Sequence, residues 1–153
     1  MIAVISRVKN ATLRVEGELV SKIGPGLLVY LCAEVGDTPA DGEKLAHKIG
    51  GLRIFEDEAG KMNLDAAKVG GEFLVVSNFT LAGNMEKGFR PSFIGAEVPA
   101  IASPAVDRFA ELLRAEGHTV AQGIFGADMQ IENIADGPIT LVARARDGKV
   151  LAW

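Results

Sequence analysis

Short apolar runs, separated by polar or glycine-containing breaks, predict strands along much of the chain. Residues 2–9 alternate loosely between apolar and polar side chains, and residues 11–23 alternate well around a polar break at 16–18. These patterns predict a strand followed by a hairpin. The runs 27–33 and 72–77 are almost wholly apolar, as is typical of strands buried on both faces. We therefore expect the centre of the sheet to lie in the interior.

Two segments carry apolar residues at the spacing of a helix with one buried face. The first begins at 37–39, where Thr38 is placed to cap and Pro39 fits the first helical position. The second is predicted to begin at Ser103-Pro104 and to end at Gly117. The apolar stripes are Leu45, Ile49 and Leu52 in the first helix, and Val106, Phe109, Ala110 and Leu113 in the second.

The order of the elements indicates the fold class. Residues 82–97 show no periodicity, and a loop of this length inside a compact domain is often functional. We expect one α+β domain over residues 1–153, with two main helices and a mostly antiparallel sheet curled into a partial barrel. Further short strands are predicted at 53–55, 118–122, 129–134 and 139–145, the last two joined by a sharp break at 135–138.

Composition and charge exclude several classes of protein. The apolar fraction of 48% supports a real core, and the longest apolar run is far shorter than a membrane span. The first residues are too short and strand-like for a signal peptide, so we expect a cytoplasmic protein with no membrane contact. Two histidines and one cysteine predict neither a disulfide nor a metal site. The net charge of −4 does not indicate nucleic-acid binding, although a local patch can still hold one end of an RNA.

The first candidate site is Ser77-Asn78-Phe79-Thr80-Leu81, which follows the apolar run 73–76. Small polar side chains at the exit of a buried strand are well placed for a binding site, because the scaffold is rigid and the exit is exposed. Ordinary capping of the strand end by Ser77 and Thr80 explains the same residues. A second stretch, residues 136–140, favours a functional site over simple capping, provided that the fold brings the two stretches together.

Four segments together resemble one known family, the D-aminoacyl-tRNA deacylases. Residues 77–81 look like the family's Ser-Gln-x-Thr-Leu motif, and residues 136–140 look like the end of its Asn-x-Gly-Pro-Val-Thr motif. Residues 87–93 and 125–129 also resemble family segments. The likeness extends over essentially the whole chain. Two positions depart from it: Asn78 stands where the family has Gln, and Ala135 where it has Asn.

This resemblance implies an activity and an assembly. The family hydrolyses the ester between a D-amino acid, or glycine, and the 3′ ribose of tRNA, with no metal or organic cofactor. It is a homodimer in which the Gly-Pro of one subunit, with a cis bond, enters the pocket of the other and excludes L side chains. Carried over to this chain, that role falls to Gly137 and Pro138. Asp136 and Thr140 are further substrate-binding candidates in the same stretch.

The resemblance also suggests roles for Ser77, Asn78, Phe79 and Thr80 in catalysis. We expect backbone N–H groups near Phe79 and Thr80 to hold the oxyanion. Thr80 has no histidine or carboxylate beside it in the sequence, and an unactivated hydroxyl is a weak nucleophile. We therefore expect Thr80 to position the attacking water.

Lys87 and Arg90, in the loop 82–97, are candidate contacts for tRNA phosphates. Two solvated charges explain them equally well.

Two other functions stay open for the whole chain. The first is a diverged relative that binds aminoacyl-tRNA or another aminoacyl compound with little turnover, as Asn78 and Ala135 suggest. The second is a dimeric structural or binding module whose long loop contacts a protein. At the other Gly-Pro pair, Gly24-Pro25, we expect an ordinary trans turn.

Overall fold

The computed structural model describes residues 1–151, which contain nine strands, three α-helices and one 3-10 helix. In chain order these are β1 (Ile2–Val15), β2 (Glu18–Ile23), β3 (Gly26–Cys32), α1 (Pro39–Gly50), β4 (Phe55–Glu56), β5 (Met62–Leu64), α2 (Ala66–Val69), β6 (Glu72–Ser77), the 3-10 helix (Phe79–Ala82), α3 (Pro99–Ala115), β7 (Val120–Gln122), β8 (Met129–Arg146) and β9 (Lys149–Val150).

Seven of the strands form one mixed, curled sheet. Its order is β7-β6-β3-β1-β8-β9, with β2 also paired to β1, while β4 and β5 form a separate hairpin. Strands β3, β6 and β7 are parallel, and the other pairings are antiparallel. The single α+β domain and the curled sheet agree with expectation. The parallel group was not predicted, and it places the carboxyl ends of β3 and β6 side by side.

The curled sheet buries apolar side chains on both of its faces. Helices α1 and α3 cover one face, where Leu45 and Phe109 pack against sheet residues such as Val29. The other face closes on itself around Leu13 and Leu74. Burial on both sides explains why β3 and β6 are apolar runs without alternation.

The two main helices are confirmed, but the second begins earlier than predicted. Thr38 and Asp41 form a capping box at the start of α1. Helix α3 starts at Pro99, which occupies a first-turn position, and Pro104 lies inside the helix. Pro104 has no backbone N–H, so the second turn of α3 lacks one of its intrahelical hydrogen bonds.

Strand β8 is continuous where two strands joined by a turn were predicted. Ser6 pairs with Thr140 and Val8 pairs with Ala135, so residues 136–139 stand opposite Arg7 alone as a bulge. The prediction failed because β1 is long enough to pair with both halves of β8, and the ladder resumes after the bulge.

No helix among residues 1–151 is long and apolar enough to cross a membrane.

Candidate active site

A cavity of about 810 Å³ opens where the parallel strands β3 and β6 end. The carboxyl ends of parallel strands are a common position for ligand sites. One wall contains Ser77, Asn78, Phe79 and Thr80, so the structure brings the first predicted segment together in one pocket. The remaining wall is formed by Tyr30–Ala33 at the end of β3, by the strand residues Val76 and Ile131, by Phe93 and Ala96–Pro99, by Ala102 and Val106 of α3, and by Phe125–Met129.

Asn78 fixes the conformation of the segment that follows β6. Its backbone N–H donates to the carbonyl of Leu31 at 2.8 Å, which ties the segment to β3. Its side-chain oxygen accepts from the Thr80 N–H at 3.2 Å and from the Thr80 hydroxyl at 2.5 Å. Asn78 therefore caps the 3-10 helix with the short side chain that suits this role. The amide is folded back onto its own loop.

The backbone N–H groups of this segment differ in their availability. The Thr80 N–H, one of the two expected oxyanion donors, already donates to Asn78. The Phe79 N–H is the first of the 3-10 helix, and no partner for it appears among residues 1–151. Donors at the start of a helix lack a partner within that helix. Of the two expected donors, the Phe79 N–H is therefore the one left available to a ligand.

Aromatic side chains define the mouth of the cavity. The rings of Phe79 and Phe93 meet edge to face, with centroids 5.1 Å apart. Gly83 allows this approach, because a Cβ there would lie 2.9 Å from the Thr80 carbonyl oxygen and 3.1 Å from the Phe93 ring. Phe125 lies on the lining as a further exposed aromatic side chain.

The cavity contains few groups that titrate near neutral pH. Burial raises the pKa of Tyr30. Burial, followed by the nearby Glu34 carboxylate, raises the pKa of Cys32 to about 11, so its thiol stays protonated. The two lining carboxylates are Glu97, which accepts from the Val98 N–H at 2.8 Å, and Asp128. Chemistry here depends mainly on neutral polar groups and backbone N–H donors.

Both histidines of the chain lie away from this cavity, in a second groove. His47 is exposed and its Nδ1 lies 3.0 Å from Glu116 Oε1. The ring of His118 packs on Phe73, with centroids 4.8 Å apart. Within residues 1–151 no group of three His, Cys, Asp or Glu side chains is arranged to hold a metal ion.

The second predicted stretch does not line the cavity of its own chain. Asp136, Gly137 and Pro138 lie in the β8 bulge and Thr140 directly follows it, all outside the lining. The Gly137-Pro138 bond is cis, as predicted, and Gly24-Pro25 is not among the cis bonds. Gly137 and Pro138 are exposed. The Thr140 and Ser6 hydroxyl oxygens are 3.1 Å apart.

Arg7 supports the bulge from the interior, a role that the sequence did not reveal. Its side chain is only 6% exposed. It donates to the Asp136 carbonyl oxygen at 3.3 Å and to the Ile54 carbonyl oxygen at 2.6 Å. Its Nε also lies 3.1 Å from the Asp136 carboxylate. Asp136 thus acts at the base of the bulge, as the partner of Arg7.

Lys87 and Arg90 also lie outside the cavity lining, on the exposed loop between Gly83 and Phe93.

Much of the lining was not predicted from the sequence. Tyr30 and Cys32 look like core residues of a strand, and Glu97 looks like an ordinary polar loop residue. Their position beside the cavity depends on contacts with residues that are distant in the sequence, so it is visible only in the folded chain.

The geometry defines a class of protein: a pocket enzyme or binder that uses neutral polar groups and backbone donors at the end of a buried strand. The family model described as D-Tyr-tRNA(Tyr) deacylase matches residues 4–144. The chain belongs to the D-aminoacyl-tRNA deacylase family.

Individual relatives agree with this assignment. A D-aminoacyl-tRNA deacylase of Geobacter sulfurreducens is 51% identical over 142 residues, covering 93% of each chain. One from Chloroflexus aurantiacus is 54% identical, covering 93% of this chain and 89% of the relative. A solved structure titled c-Myc DNA Unwinding Element Binding Protein has a TM-score of 0.89 at 37% identity, covering 95% of this chain and 99% of that one.

Proposed function

We infer that the protein hydrolyses the ester bond between a D-amino acid and the 3′ end of tRNA, releasing the free amino acid and tRNA. The observation that carries this function is the family match over residues 4–144 together with a cavity lined by the matching segment Ser77–Thr80. The enzyme is a hydrolase acting on ester bonds. Glycyl-tRNA is a second candidate substrate, since glycine has no side chain to exclude.

Hydrolysis requires an attacking water and a stabilised oxyanion. We assign the Phe79 N–H as the oxyanion donor, because the Thr80 N–H is occupied by Asn78. Losing one such donor typically costs about 2.7–4 kcal/mol of activation free energy. The Thr80 hydroxyl donates to the neutral Asn78 amide and meets no base there. Thr80 therefore orders the water and does not attack the ester.

Selectivity for the D-enantiomer is assigned to Gly137 and Pro138 of a second copy of the chain. The bulge is exposed and outside the cavity of its own chain, so within one subunit it cannot shape that cavity. Backbone atoms make a firm filter, because a clash rejects the wrong substrate better than a missing contact does. Gly137 also presents no Cβ, and backbone carbonyls approach the substrate ammonium closely.

A homodimer follows from this assignment, since the filter has to come from a partner subunit. Strand β8 carries exposed apolar side chains beside the bulge, namely Ile134, Leu141 and Val142. We propose this stretch of β8 as part of the surface at which the two copies meet. Sedimentation velocity should give twice the mass of the chain, and a monomer active on D-aminoacyl-tRNA would contradict the shared site.

The tRNA itself is contacted outside the cavity by Lys87 and Arg90. Both are exposed in the loop that continues from the Ser77–Thr80 segment. Replacing both with alanine should weaken tRNA binding and flatten its dependence on salt. We place the enzyme in the cytoplasm, where tRNA is charged and used.

A diverged binder with little turnover is the second candidate function. Asn78 motivates it, because its shorter amide is folded back onto Thr80. Ala135 motivates it as well, because no amide stands at that position.

Time courses of D-tyrosyl-tRNA and L-tyrosyl-tRNA with the purified protein separate these functions. Rapid loss of the D ester with the L ester spared supports the hydrolase. Tight binding of D-tyrosyl-tRNA without release of tyrosine supports the diverged binder. Hydrolysis of both esters at equal rates would remove the chiral filter from the assignment.

A further inference from the structure

One aromatic side chain outside the cavity is exposed without a structural reason. Phe89 is fully exposed, and it is the most exposed large apolar side chain among residues 1–151. Its ring contacts no other ring in the described part of the chain. A fully solvated phenyl ring contributes nothing to the core, so its place in the loop calls for another explanation.

The loop that carries Phe89 has a defined shape. Asn84 and Ser92 exchange two backbone hydrogen bonds of 2.8 and 2.9 Å, which close the loop at its base. The Asn84 side chain also accepts from the Glu86 N–H at 2.8 Å. Gly88, with φ of +68°, turns the chain at the tip. Phe89 is therefore presented at the tip of a closed loop.

Two cationic residues stand close to Phe89 in the sequence. Lys87 and Arg90 are both exposed, and neither takes part in an ion pair within residues 1–151. Aromatic rings bracketed by cations suit single-stranded nucleic acid, since a base stacks on the ring while phosphates meet the charges. Met85 is exposed in the same loop, and a protein partner that used this surface would bury both side chains, whereas a stacked base needs only the Phe89 ring.

The loop is rooted in the wall of the cavity. Phe93, one residue beyond the closed base, lines the cavity and packs on Phe79. Phe93 lies four positions after Phe89, so the two Cα atoms lie at most about 14 Å apart. An RNA strand whose last nucleotide enters the cavity therefore passes within reach of the tip.

We propose that Phe89 is a base-stacking residue for the single-stranded 3′ end of tRNA, outside the cavity that holds the ester. The proposal rests on the proposed function for its ligand, and it adds a recognition residue that acts on RNA without touching the reacting bond.

Binding measurements test the proposal without requiring turnover. Phe89→Ala and Phe89→Leu should each raise the dissociation constant for uncharged tRNA by about tenfold, and Phe89→Trp should restore it. A blunt acceptor duplex, which lacks the single-stranded end, should bind wild type and Phe89→Ala equally. Met85→Ala is the matched control, since Met85 is 77% exposed in the same loop, and it should leave tRNA binding unchanged.

Salt dependence separates stacking from charge. Phe89→Ala should shift the plot of log affinity against log salt without changing its slope, because stacking releases no counterions. Lys87→Ala or Arg90→Ala should reduce the slope by about 0.7 each. An unaltered dissociation constant for Phe89→Ala, or an equal loss on the blunt duplex, would overturn the proposal.

Hydrolysis assays separate failure of this proposal from failure of the proposed function. Phe89→Ala should raise KM for D-tyrosyl-tRNA and leave hydrolysis of D-tyrosyl-adenosine unchanged, since that substrate has no further bases. Equal losses on both substrates, or a Phe89→Ala protein that sediments as a smaller species than wild type, would contradict stacking. If wild type hydrolyses neither substrate while the Phe89 variants still lose RNA affinity, the hydrolase fails and the stacking residue stands.

Discussion

Two polar groups of residues lie next to each other at the end of β3, and they are built in opposite ways. The first is the amino-terminal charge cluster, formed by the Met1 α-amino group, Glu34, Asp37, Arg144 and Arg146. The Met1 ammonium lies 3.2 Å from Glu34 and 2.5 Å from Asp37. Arg144 binds both Glu34 oxygens, at 2.6 and 2.9 Å, and Arg146 lies 3.3 Å from Asp37.

The second group is the Ser77–Thr80 segment, which borders the cavity. It carries no charge, and its side-chain hydrogen bonds run between Asn78 and Thr80 alone. Met1 and Glu34 of the charge cluster are buried and every charge in the cluster has a partner, with Arg144 exposed at its edge, whereas the segment keeps a backbone donor free and borders an open cavity. Full pairing indicates a structural role, because nothing remains to bind a ligand. Incomplete pairing beside a cavity indicates a functional one.

The largest expected effect is the loss of stability when the charge cluster is broken. Glu34→Gln removes the carboxylate shared by the Met1 ammonium and Arg144. Leaving a buried ammonium with weaker partners should cost about 3 kcal/mol of unfolding free energy. Urea denaturation measures this loss, and Glu43→Gln, an exposed position on α1, should cost far less. A Glu34→Gln protein as stable as wild type would show that the cluster is not structural.

Low pH should also weaken the charge cluster, because it protonates Glu34. Burial raises the pKa of Glu34, but hydrogen bonds from Arg144 and the Met1 ammonium outweigh burial and hold its pKa below the ordinary value. A carboxylate with a lowered folded pKa stabilises the protein above its unfolded pKa, about 4.3, and this stability is lost as pH falls through the folded pKa. Denaturation from pH 6 downward should show falling stability below about pH 5. The Glu34→Gln protein should show a flatter profile.

Thr80 should give the opposite result, with lower activity and unchanged stability. Thr80→Ala removes the hydroxyl that orders water, so turnover of D-tyrosyl-tRNA should fall by about ten- to 100-fold. Unfolding should not change, because Thr80 is exposed. Thr80→Ser keeps the hydroxyl and should retain most of the activity. Mass spectrometry of quenched reactions should show no aminoacyl-enzyme, and an adduct on Thr80 would restore nucleophilic catalysis.

The smallest effect is expected at Cys32, which lies between the two groups. Its pKa of about 11 keeps the thiol protonated at neutral pH, and only a thiolate attacks efficiently. Cys32→Ala should change kcat/KM by no more than about twofold. Inactivation of wild type by iodoacetamide, with resistance in Cys32→Ala, would show that the Cys32 thiol is reactive at neutral pH and contribute evidence for a role in catalysis.

The two groups also differ in what the sequence could reveal. The Ser77–Thr80 segment drew attention because polar residues interrupt an apolar run, which is a local pattern. That pattern fits capping of a strand end equally well, and the resemblance of two motifs to the family made it a predicted site. The charge cluster joins Met1, Glu34 and Arg144. Glu34 and Arg144 are 110 positions apart in the sequence, so no local pattern predicts that they pair.

The fold shows the same division between local and long-range features. Helix stripes and apolar strands were predictable from periodicity. The continuity of β8 and the parallel pairing of β3 with β6 depend on which strands meet. The role of Arg7 beneath Asp136 has the same cause, because it follows from the β1–β8 register.

Complementation between two impaired variants tests most directly whether the site is shared between subunits. Thr80→Ala loses the hydroxyl that orders water, and a displaced bulge loses the backbone carbonyls that approach the substrate ammonium, so both variant homodimers should hydrolyse D-tyrosyl-tRNA slowly. In Gly137→Ala the new Cβ would lie 2.6 Å from the Ile139 nitrogen at a φ of +133°, so the bulge has to move. Gly60→Ala is the matched control, because Gly60 also has a positive φ but has open space around it. Gly60→Ala should leave the site intact.

The measurement is the hydrolysis of D-tyrosyl-tRNA by a heterodimer purified through two different carboxyl-terminal tags. One subunit carries Thr80→Ala and the other carries Gly137→Ala. If each site combines Thr80 of one subunit with Gly137 of its partner, one site carries both changes and the other is intact. The heterodimer should then recover about half of the wild-type rate, with L-tyrosyl-tRNA still spared. A rate no higher than the mean of the two variant homodimers would show that each site is complete within one chain.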